Sequence, residues 1–207
     1  MINNIDEYIV EDERSARRFL KKSGINKSLP EIIFHSLNKH SKTEEVNSYL
    51  NAIESGKNIG VISEAGCPGI ADPGAEIVLM AHKKNIKVIP LVGPSSILLA
   101  LMASGFNGQH FTFHGYLPKE QKERIKKLKD LENAAFQKNE TQLFIETPFR
   151  NQHLLEDIIN TCRASTLLCI ACDITLPGEF IQTKSIHEWK NKLPEINKRP
   201  AIFLIYK

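Results

Sequence analysis

Residues 58–74 read NIGVISEAGCPGIADPG, and this stretch decides the fold. A short apolar run is followed by a loop with three glycines and two prolines, and then by an amphipathic segment. Proline fixes φ and glycine permits positive φ or close backbone approach, so the loop has a defined shape. Ligands of open parallel sheets bind beyond the carboxyl ends of strands, which makes this loop a candidate site. The simpler alternative is a tight turn in which Asp72 caps the next helix.

Apolar runs and amphipathic segments alternate on both sides of this loop. Strands are predicted at 7–10, 32–35, 58–63, 87–91, 111–115, 142–146, 167–172, 180–183 and 202–206, and helices at 13–23, 43–55, 74–84, 95–103, 120–136, 150–161 and 186–193. This order predicts an α/β protein with a mostly parallel sheet in its first half and a mixed sheet in its second. The Gly- and Asn-rich stretch 105–109 separates a domain at 1–109 from a domain at 110–207.

Composition predicts a soluble globular protein of one or two domains. The chain has 207 residues, of which 42% are hydrophobic and 25% charged. It contains no apolar run of about 18 residues, so we expect no membrane span. The amino terminus shows no basic and apolar signal segment, so we expect a cytoplasmic protein. The net charge of +3 is too small to indicate nucleic-acid binding by itself.

The four cysteines indicate neither a disulfide scaffold nor a metal site. Cys169 and Cys172 form a C-x-x-C motif inside an apolar, strand-like run. Residues three apart on a strand point to opposite faces, so we expect two buried structural thiols and no metal.

The charge of the first loop restricts the class of ligand that it can bind. No Lys or Arg occurs between Gly60 and His82, whereas Glu64, Asp72 and Glu76 are acidic. Neither G-x-x-x-x-G-K-[ST] nor G-x-G-x-x-G occurs in the chain. The loop therefore suits a ligand with positive charge and sugar hydroxyls better than a nucleoside triphosphate.

Two further loops follow predicted strands. Residues 92–97 read VGPSSI, where Ser95 or Ser96 can cap the next helix and its free N–H groups can bind a carboxylate. Ile97 stands where a nucleophilic serine elbow needs glycine, which argues against a serine hydrolase. Residues 145–150, IETPFR, form the third candidate loop.

Taken together, these loops resemble those of one enzyme family. The stretches are VISEAGCPGIADPGAEIV at 61–78, KVIPLVGPSSILLALMASGF at 87–106, FHGYLP at 113–118, FIETPFRN at 144–151 and YIVEDERSARRFL at 8–20. In this order they resemble the tetrapyrrole methylase superfamily, and most closely its branch of small-subunit ribosomal RNA cytidine-2′-O-methyltransferases.

The resemblance implies a dimeric, two-domain methyltransferase with S-adenosylmethionine in the cleft between domains, acting on a ribose in ribosomal RNA. Methylation of a tetrapyrrole or other small molecule is one alternative, and a degenerate member that binds RNA or protein without turnover is another. The family's cofactor contacts carry over to Gly66, Cys67, Pro68, Ile70, Pro94, Ser95, Ser96, Ile145, Glu146, Ala171, Pro200 and Ala201.

Three departures from the family pattern are visible. The family's first strand and its glycine-rich loop have no counterpart here, so either the start lies upstream of Met1 or the first domain lacks that strand. Cys67 stands where Thr or Asp is common. The segment 172–179, CDITLPGE, lacks basic residues that the family carries at two positions, which bears on the RNA substrate.

A ribose hydroxyl is a poor nucleophile near neutral pH, so a positioned base would help. The candidates are Glu11, Asp12 and Glu146, and the alternative for the first two is capping of the helix that begins at Glu13. Two basic clusters are candidates for RNA phosphates: Arg14, Arg17, Arg18, Lys21 and Lys22 in one, and the stretch 119–129 in the other. The alternative for both is a solvated helix face.

Overall fold

The computed structural model describes residues 2–38, 41, 43–64 and 66–207, and at 43 and 44 it describes the backbone alone. The chain divides into two compact units, one ending at Pro94 and one running from Ser95 to Lys207. We expected the division within 105–109. It falls earlier because the intervening helix packs its Ala100 and Leu101 into the core of the second unit.

The first unit contains a three-stranded parallel sheet in the order β2-β1-β3. Its strands are β1 (Glu7–Val10), β2 (Ile33–Ser36) and β3 (Ile59–Ile62), and its helices are α1 (Glu13–Lys22), α2 (Thr43–Ser48), α3 (Asn51–Glu54) and α4 (Gly74–Lys83). Side chains alternate along the central strand, so Ile9 packs against α4 while Tyr8 and Val10 pack against α1. The predicted parallel sheet is confirmed.

The predicted strand at Lys87–Leu91 is wrong, because this segment pairs with no strand among the described residues. Ile86 and Val88 pack against the core, whereas Ile89 and Leu91 are exposed. The alternation that suggested a strand is therefore present in the side chains, but alternation alone does not supply a hydrogen-bonding neighbour. The predicted helix at 43–55 is likewise divided, into α2 and α3, around buried Tyr49 and Leu50.

The second unit contains a five-stranded mixed sheet in the order β4-β5-β8-β6-β7. Its strands are β4 (Phe111–Tyr116), β5 (Thr141–Ile145), β6 (Leu167–Cys172), β7 (Phe180–Ser185) and β8 (Ala201–Tyr206), and its helices are α5 (Ser96–Ser104), α6 (Gln121–Lys138), α7 (Asn151–Thr161) and α8 (Ile186–Trp189). Only β4 and β5 pair in parallel. Helices α6 and α7 cover one face of the sheet and α5 packs on the other. This confirms the predicted mixed sheet.

The two cysteines of the C-x-x-C motif lie on opposite faces of β6, as predicted. Cys169 packs in the cluster that contains α5, and Cys172 packs in the cluster that contains α6 and α7. Burial raises the pKa of both thiols, that of Cys172 to about 11. Both are therefore protonated near neutral pH and serve as small core residues.

A buried ion pair joins α6 to α7. The Arg124 Nε donates to Asp157 Oδ2 at 2.7 Å, and its Nη1 donates to the Lys119 carbonyl at 2.6 Å. Gln121 donates to the other oxygen of Asp157 at 2.8 Å. Arg124 is thus a structural residue, although it lies in the basic stretch 119–129.

Replacing Arg124 by Met should lower the free energy of unfolding by about 3–5 kcal/mol, because Asp157 would stay buried without its cation. The double variant Arg124→Met with Asp157→Leu should have a much smaller loss of unfolding free energy, because no unpaired charge remains buried. Urea unfolding monitored by circular dichroism measures both, with Lys126→Met on the exposed side of α6 as the control. A double variant as unstable as Arg124→Met would contradict this account of the pair.

Candidate functional site

In the first unit, the carboxyl ends of β1 and β3 and the loop after β3 line a small cavity of about 10 Å³, which is the space of about one water molecule. Its walls include Val10, Glu11, Ile62, Ser63, Asp72 and Gly74. This is the edge of the sheet at which parallel strands present ligand-binding loops. The loop turns through positive φ at Gly66, Gly69 and Ala71, and Ala65 lies outside the described residues.

One carboxylate holds this loop in shape. The Asp72 Oδ1 accepts hydrogen bonds from the Gly69 and Gly74 amides, each at 2.7 Å. A Cβ at position 74 would lie 2.9 Å from that oxygen and 3.0 Å from the Gly69 nitrogen, so only glycine fits. The capping alternative for Asp72 is partly right, because Gly74 is the first residue of α4, but the same oxygen also closes the loop.

The other carboxylate oxygen of Asp72 is buried and has no hydrogen-bond donor among the described residues. An unsatisfied buried acceptor is costly, so this oxygen is suited to a donor or a positive group of a ligand.

The first-loop residues predicted to contact a cofactor lie around this turn. The Gly66 amide donates to Ser63 Oγ at 3.0 Å, and the Cys67 thiol donates to the Pro94 carbonyl at 3.5 Å. Cys67 and Pro94, predicted from separate loops, are therefore in contact. Pro68 and Ile70 are exposed on the loop.

The two adjacent acids after β1 have different roles. Asp12 is the N-cap of α1 and accepts from both the amide and the hydroxyl of Ser15 at 2.7 Å. These hydrogen bonds lower the pKa of Asp12. Glu11 instead lines the cavity and accepts from the Glu64 amide at 3.0 Å. The geometry therefore favours the capping alternative for Asp12 and leaves Glu11 facing the cavity.

The second unit has a larger cavity of about 290 Å³. Six of the predicted cofactor residues line it: Ser96, Ile145, Glu146, Ala171, Pro200 and Ala201. They come from the start of α5, the ends of β5 and β6, and the start of β8. Because β8 runs antiparallel to β5 and β6, its start lies at the same sheet edge as their ends. The structure thus brings together residues that are far apart in the sequence.

The cavity combines an apolar floor with paired acids. Its apolar lining includes Ile145, Ala171 and Ile202. Glu146 is buried, and its Oε1 accepts from Arg150 and, at 2.6 Å, from the Thr147 amide. Asp173 accepts from Arg199 Nε at 2.8 Å. Glu146 is therefore held in an ion pair, which favours a positioning role over that of a base.

Ser95 precedes Ser96 in the sequence and caps helix α5. Its hydroxyl oxygen accepts from the Leu98 amide at 3.5 Å, which makes it the N-cap of α5. The sequence left open whether Ser95 or Ser96 caps this helix. Ser96 is thereby left to line the cavity.

Six residues that line the cavity were not among the predicted site residues: Tyr116, Pro148, Asp173, Ile174, Leu176 and Ile202. Tyr116 follows an irregularity in the pairing of β4 between Phe113 and Tyr116, where Gly115 has a φ of +63°. The glycine in FHGYLP was the available signal for that bulge. Nothing in the local pattern identifies the others, because their placement depends on strand order.

Residues 5–189 match the profile of the tetrapyrrole (corrin/porphyrin) methylases. The chain belongs to this family. A ribosomal RNA small subunit methyltransferase I from Haemophilus influenzae is 31% identical over 204 residues, covering 97% of this chain and 69% of the relative. The protein of the same name from Pasteurella multocida is 29% identical over 208 residues, covering 99% and 71%. The Bacillus subtilis relative is 36% identical over 154 residues, which is 74% of this chain and 50% of that protein.

Solved structures of methylases share the fold. The methyltransferase CobJ superposes with a TM-score of 0.65 at 16% identity, covering 100% of this chain and 84% of CobJ. The cobalt precorrin-4 methyltransferase CbiF superposes with a TM-score of 0.60 at 18% identity, covering 99% of this chain and 84% of CbiF. Among the described residues, no helix is long and apolar enough to cross a bilayer, and no group of His, Cys, Asp or Glu is arranged to bind a metal.

The cap formed by Asp12 should make stability depend on pH. Its pKa in the folded chain is lowered from 3.8, so its contribution is present above that value and is lost as the pH falls through the folded pKa. Thermal unfolding of the wild type and Asp12→Asn should therefore differ in its pH dependence below about 3.8. Identical pH profiles of the melting temperature would contradict the cap.

Proposed function

We propose that this chain is an S-adenosylmethionine-dependent methyltransferase that methylates a ribose 2′-hydroxyl of small-subunit ribosomal RNA. The main support for this cofactor is the cavity of the second unit, because six residues predicted from the sequence to contact the cofactor line it. The substrate class is supported by the relatives named ribosomal RNA small subunit methyltransferase I. The position of the methylated oxygen rests on the resemblance of the motifs.

The residues present fit the cofactor. The apolar floor at Ile145, Ala171 and Ile202 suits a flat adenine ring, and backbone groups at the strand ends suit ribose hydroxyls. The volume of about 290 Å³ lies just below the range of ligand pockets, which is roughly 300–1,000 Å³.

When bound, S-adenosylmethionine supplies an electrophilic methyl group on a positive sulfur. A ribose hydroxyl that accepted this methyl group would lose its proton to a base of the chain. We assign that base to Glu11, which faces the strand-end cavity, since Asp12 is engaged by Ser15 and Glu146 by Arg150. The Glu64 amide holds Glu11 in place.

The chain is further proposed to act in the cytoplasm, where ribosomal RNA is assembled, and as a homodimer. Helix α5 exposes two apolar side chains one turn apart, Leu98 at 50% and Met102 at 78% exposure. Such side chains are typical of an interface. Sedimentation equilibrium at micromolar concentration measures the mass of the assembly.

Titration calorimetry should give micromolar affinity for S-adenosylmethionine, about −8 kcal/mol. Ser96→Leu should weaken this affinity about tenfold or more, because the larger side chain enters the cavity. Ala103→Leu adds an apolar side chain at an exposed position of the same helix and should leave the affinity unchanged. If Ser96→Leu binds the cofactor as tightly as the wild type, the cavity is not the cofactor site. If the wild type does not bind the cofactor, the proposed function fails.

Glu11→Gln should lower the rate of methyl transfer to small-subunit RNA by about 10²–10⁴-fold while the cofactor affinity stays the same. The amide oxygen of Gln can still accept from the Glu64 amide, so the loop should keep its shape. Asp12→Asn retains a good N-cap residue and should keep its activity. Single-turnover transfer of a labelled methyl group measures both, and an active Glu11→Gln enzyme would remove Glu11 from the role of base.

A further inference from the structure

We propose that the outer face of α1, formed by Arg14, Arg18, Phe19, Lys21 and Lys22, binds single-stranded RNA. The cations would contact phosphates, and the Phe19 ring would stack on a base. The inference rests on the proposed function for its substrate class, and it assigns the RNA to a particular surface of the first unit.

The packing of α1 defines this face. Ala16 and Leu20, four residues apart, are buried against the sheet. Helical spacing places Arg14, Arg18 and Lys22, also four residues apart, on the side away from that core, and all three are exposed together with Lys21. Within the described part of the chain, none of these four cations forms a salt bridge; those of α1 are confined to Arg17 and Glu13.

Arg17 does not belong to this face. It pairs with Glu13 at 2.7 Å, donates to the Leu29 carbonyl at 2.7 Å and lies over the Phe34 ring at 4.4 Å. The sequence grouped all five basic residues of α1 together. Arg17 holds the helix against its surroundings, and the other four basic residues stay exposed and form no salt bridge among the described residues.

Phe19 is the second, independent feature. Its side chain is 53% exposed, on a helix whose other apolar residues are buried. On the exposed side of the helix its neighbours are Lys22 at i+3 and Ser15 at i−4, whereas Ala16 at i−3 is buried. Sites for single-stranded nucleic acid combine aromatic side chains with cations, because bases stack on the rings while phosphates meet the charges. A protein partner would instead favour apolar neighbours around the ring.

The position of α1 supports the same conclusion. The helix begins immediately after Glu11 and Asp12, so its first turn adjoins the strand-end cavity within the same unit. RNA bound along α1 would therefore pass beside the proposed base.

The lysine-rich helix α6 lacks this combination. Arg124 is engaged by Asp157, and exposed acids at Glu120, Glu123 and Asp130 lie among its lysines. Its aromatic residue, Phe136, lies beneath Arg163, whose guanidinium is 4.9 Å from the ring centre. Helix α6 thus offers a matched control for charge.

Fluorescence anisotropy with a fluorescein-labelled single-stranded RNA of mixed sequence tests the surface. Between 50 and about 300 mM KCl, each phosphate contact adds about 0.7 to the slope of log affinity against log salt. The triple variant Arg14→Ala, Arg18→Ala, Lys22→Ala should flatten this slope by about 2, whereas Lys122→Ala, Lys126→Ala, Lys129→Ala should leave it unchanged. An unchanged slope in the α1 variant, or an equal change in both, would overturn the proposal.

The stacking contact has its own test. Phe19→Ala should weaken RNA binding about tenfold with no change in the salt slope, because a stacked base is lost but no phosphate contact is. Phe19→Tyr should restore binding and Phe19→Leu should not. If Phe19→Leu binds RNA as tightly as the wild type, Phe19 does not stack on a base. Circular dichroism melting of each variant establishes that the helix is intact.

Methyl transfer separates this inference from the proposed function. If the wild type methylates small-subunit RNA and the α1 triple variant does so equally well at limiting RNA, the surface is wrong and the function stands. If the wild type transfers no methyl group although the α1 variants lose salt-dependent RNA binding, the surface stands and the function fails.

Discussion

The register of β8 between β5 and β6 is the constraint on which the larger cavity depends. Ile202 stands opposite both Ile145 and Ala171, and all three side chains belong to the same face of the sheet. A slip of one residue would turn Ile202 to the other face and separate the three. The alternating apolar residues of β8 bury both faces, so the register is fixed by the core itself. The apolar floor of the cavity is therefore a consequence of core packing, whereas Glu146, Asp173 and Leu176 line it from the segments that follow β5 and β6.

The smaller cavity is built in a different way. There the strands end at the sheet edge, and a single carboxylate oxygen of Asp72 shapes the loop through two amides. The missing side chain at Gly74 makes that arrangement possible. Because the loop has few buried apolar contacts, its shape depends on these hydrogen bonds, and the second oxygen of Asp72 stays without a donor. Hydrogen bonds therefore fix the shape of the smaller cavity, whereas apolar packing fixes the floor of the larger one.

These differences explain what the sequence could predict. Eight of the nine strands predicted from apolar periodicity are present in the structure, because the burial of a strand leaves a pattern in its local sequence. It failed at Lys87–Leu91, because pairing requires a neighbour that the pattern cannot report. Motif resemblance selected six residues of one cavity, but it could not distinguish Glu11 from Asp12. That distinction depends on whether a side chain turns back to Ser15 or faces the strand ends, which adjacent acids of similar chemistry do not reveal.

The same reasoning applies to the charged residues. In sequence, the arginines of α1 and α6 look alike, but Arg17 and Arg124 are engaged by backbone carbonyls and acids. A buried or partly buried cation with such partners contributes to folding and is not available to a ligand. Counting basic residues therefore overestimates any binding surface, and the exposed remainder is the meaningful quantity. On α1 that remainder is four exposed cations and the exposed ring of Phe19. These exposed groups are the basis of our proposal that this face of α1 binds RNA.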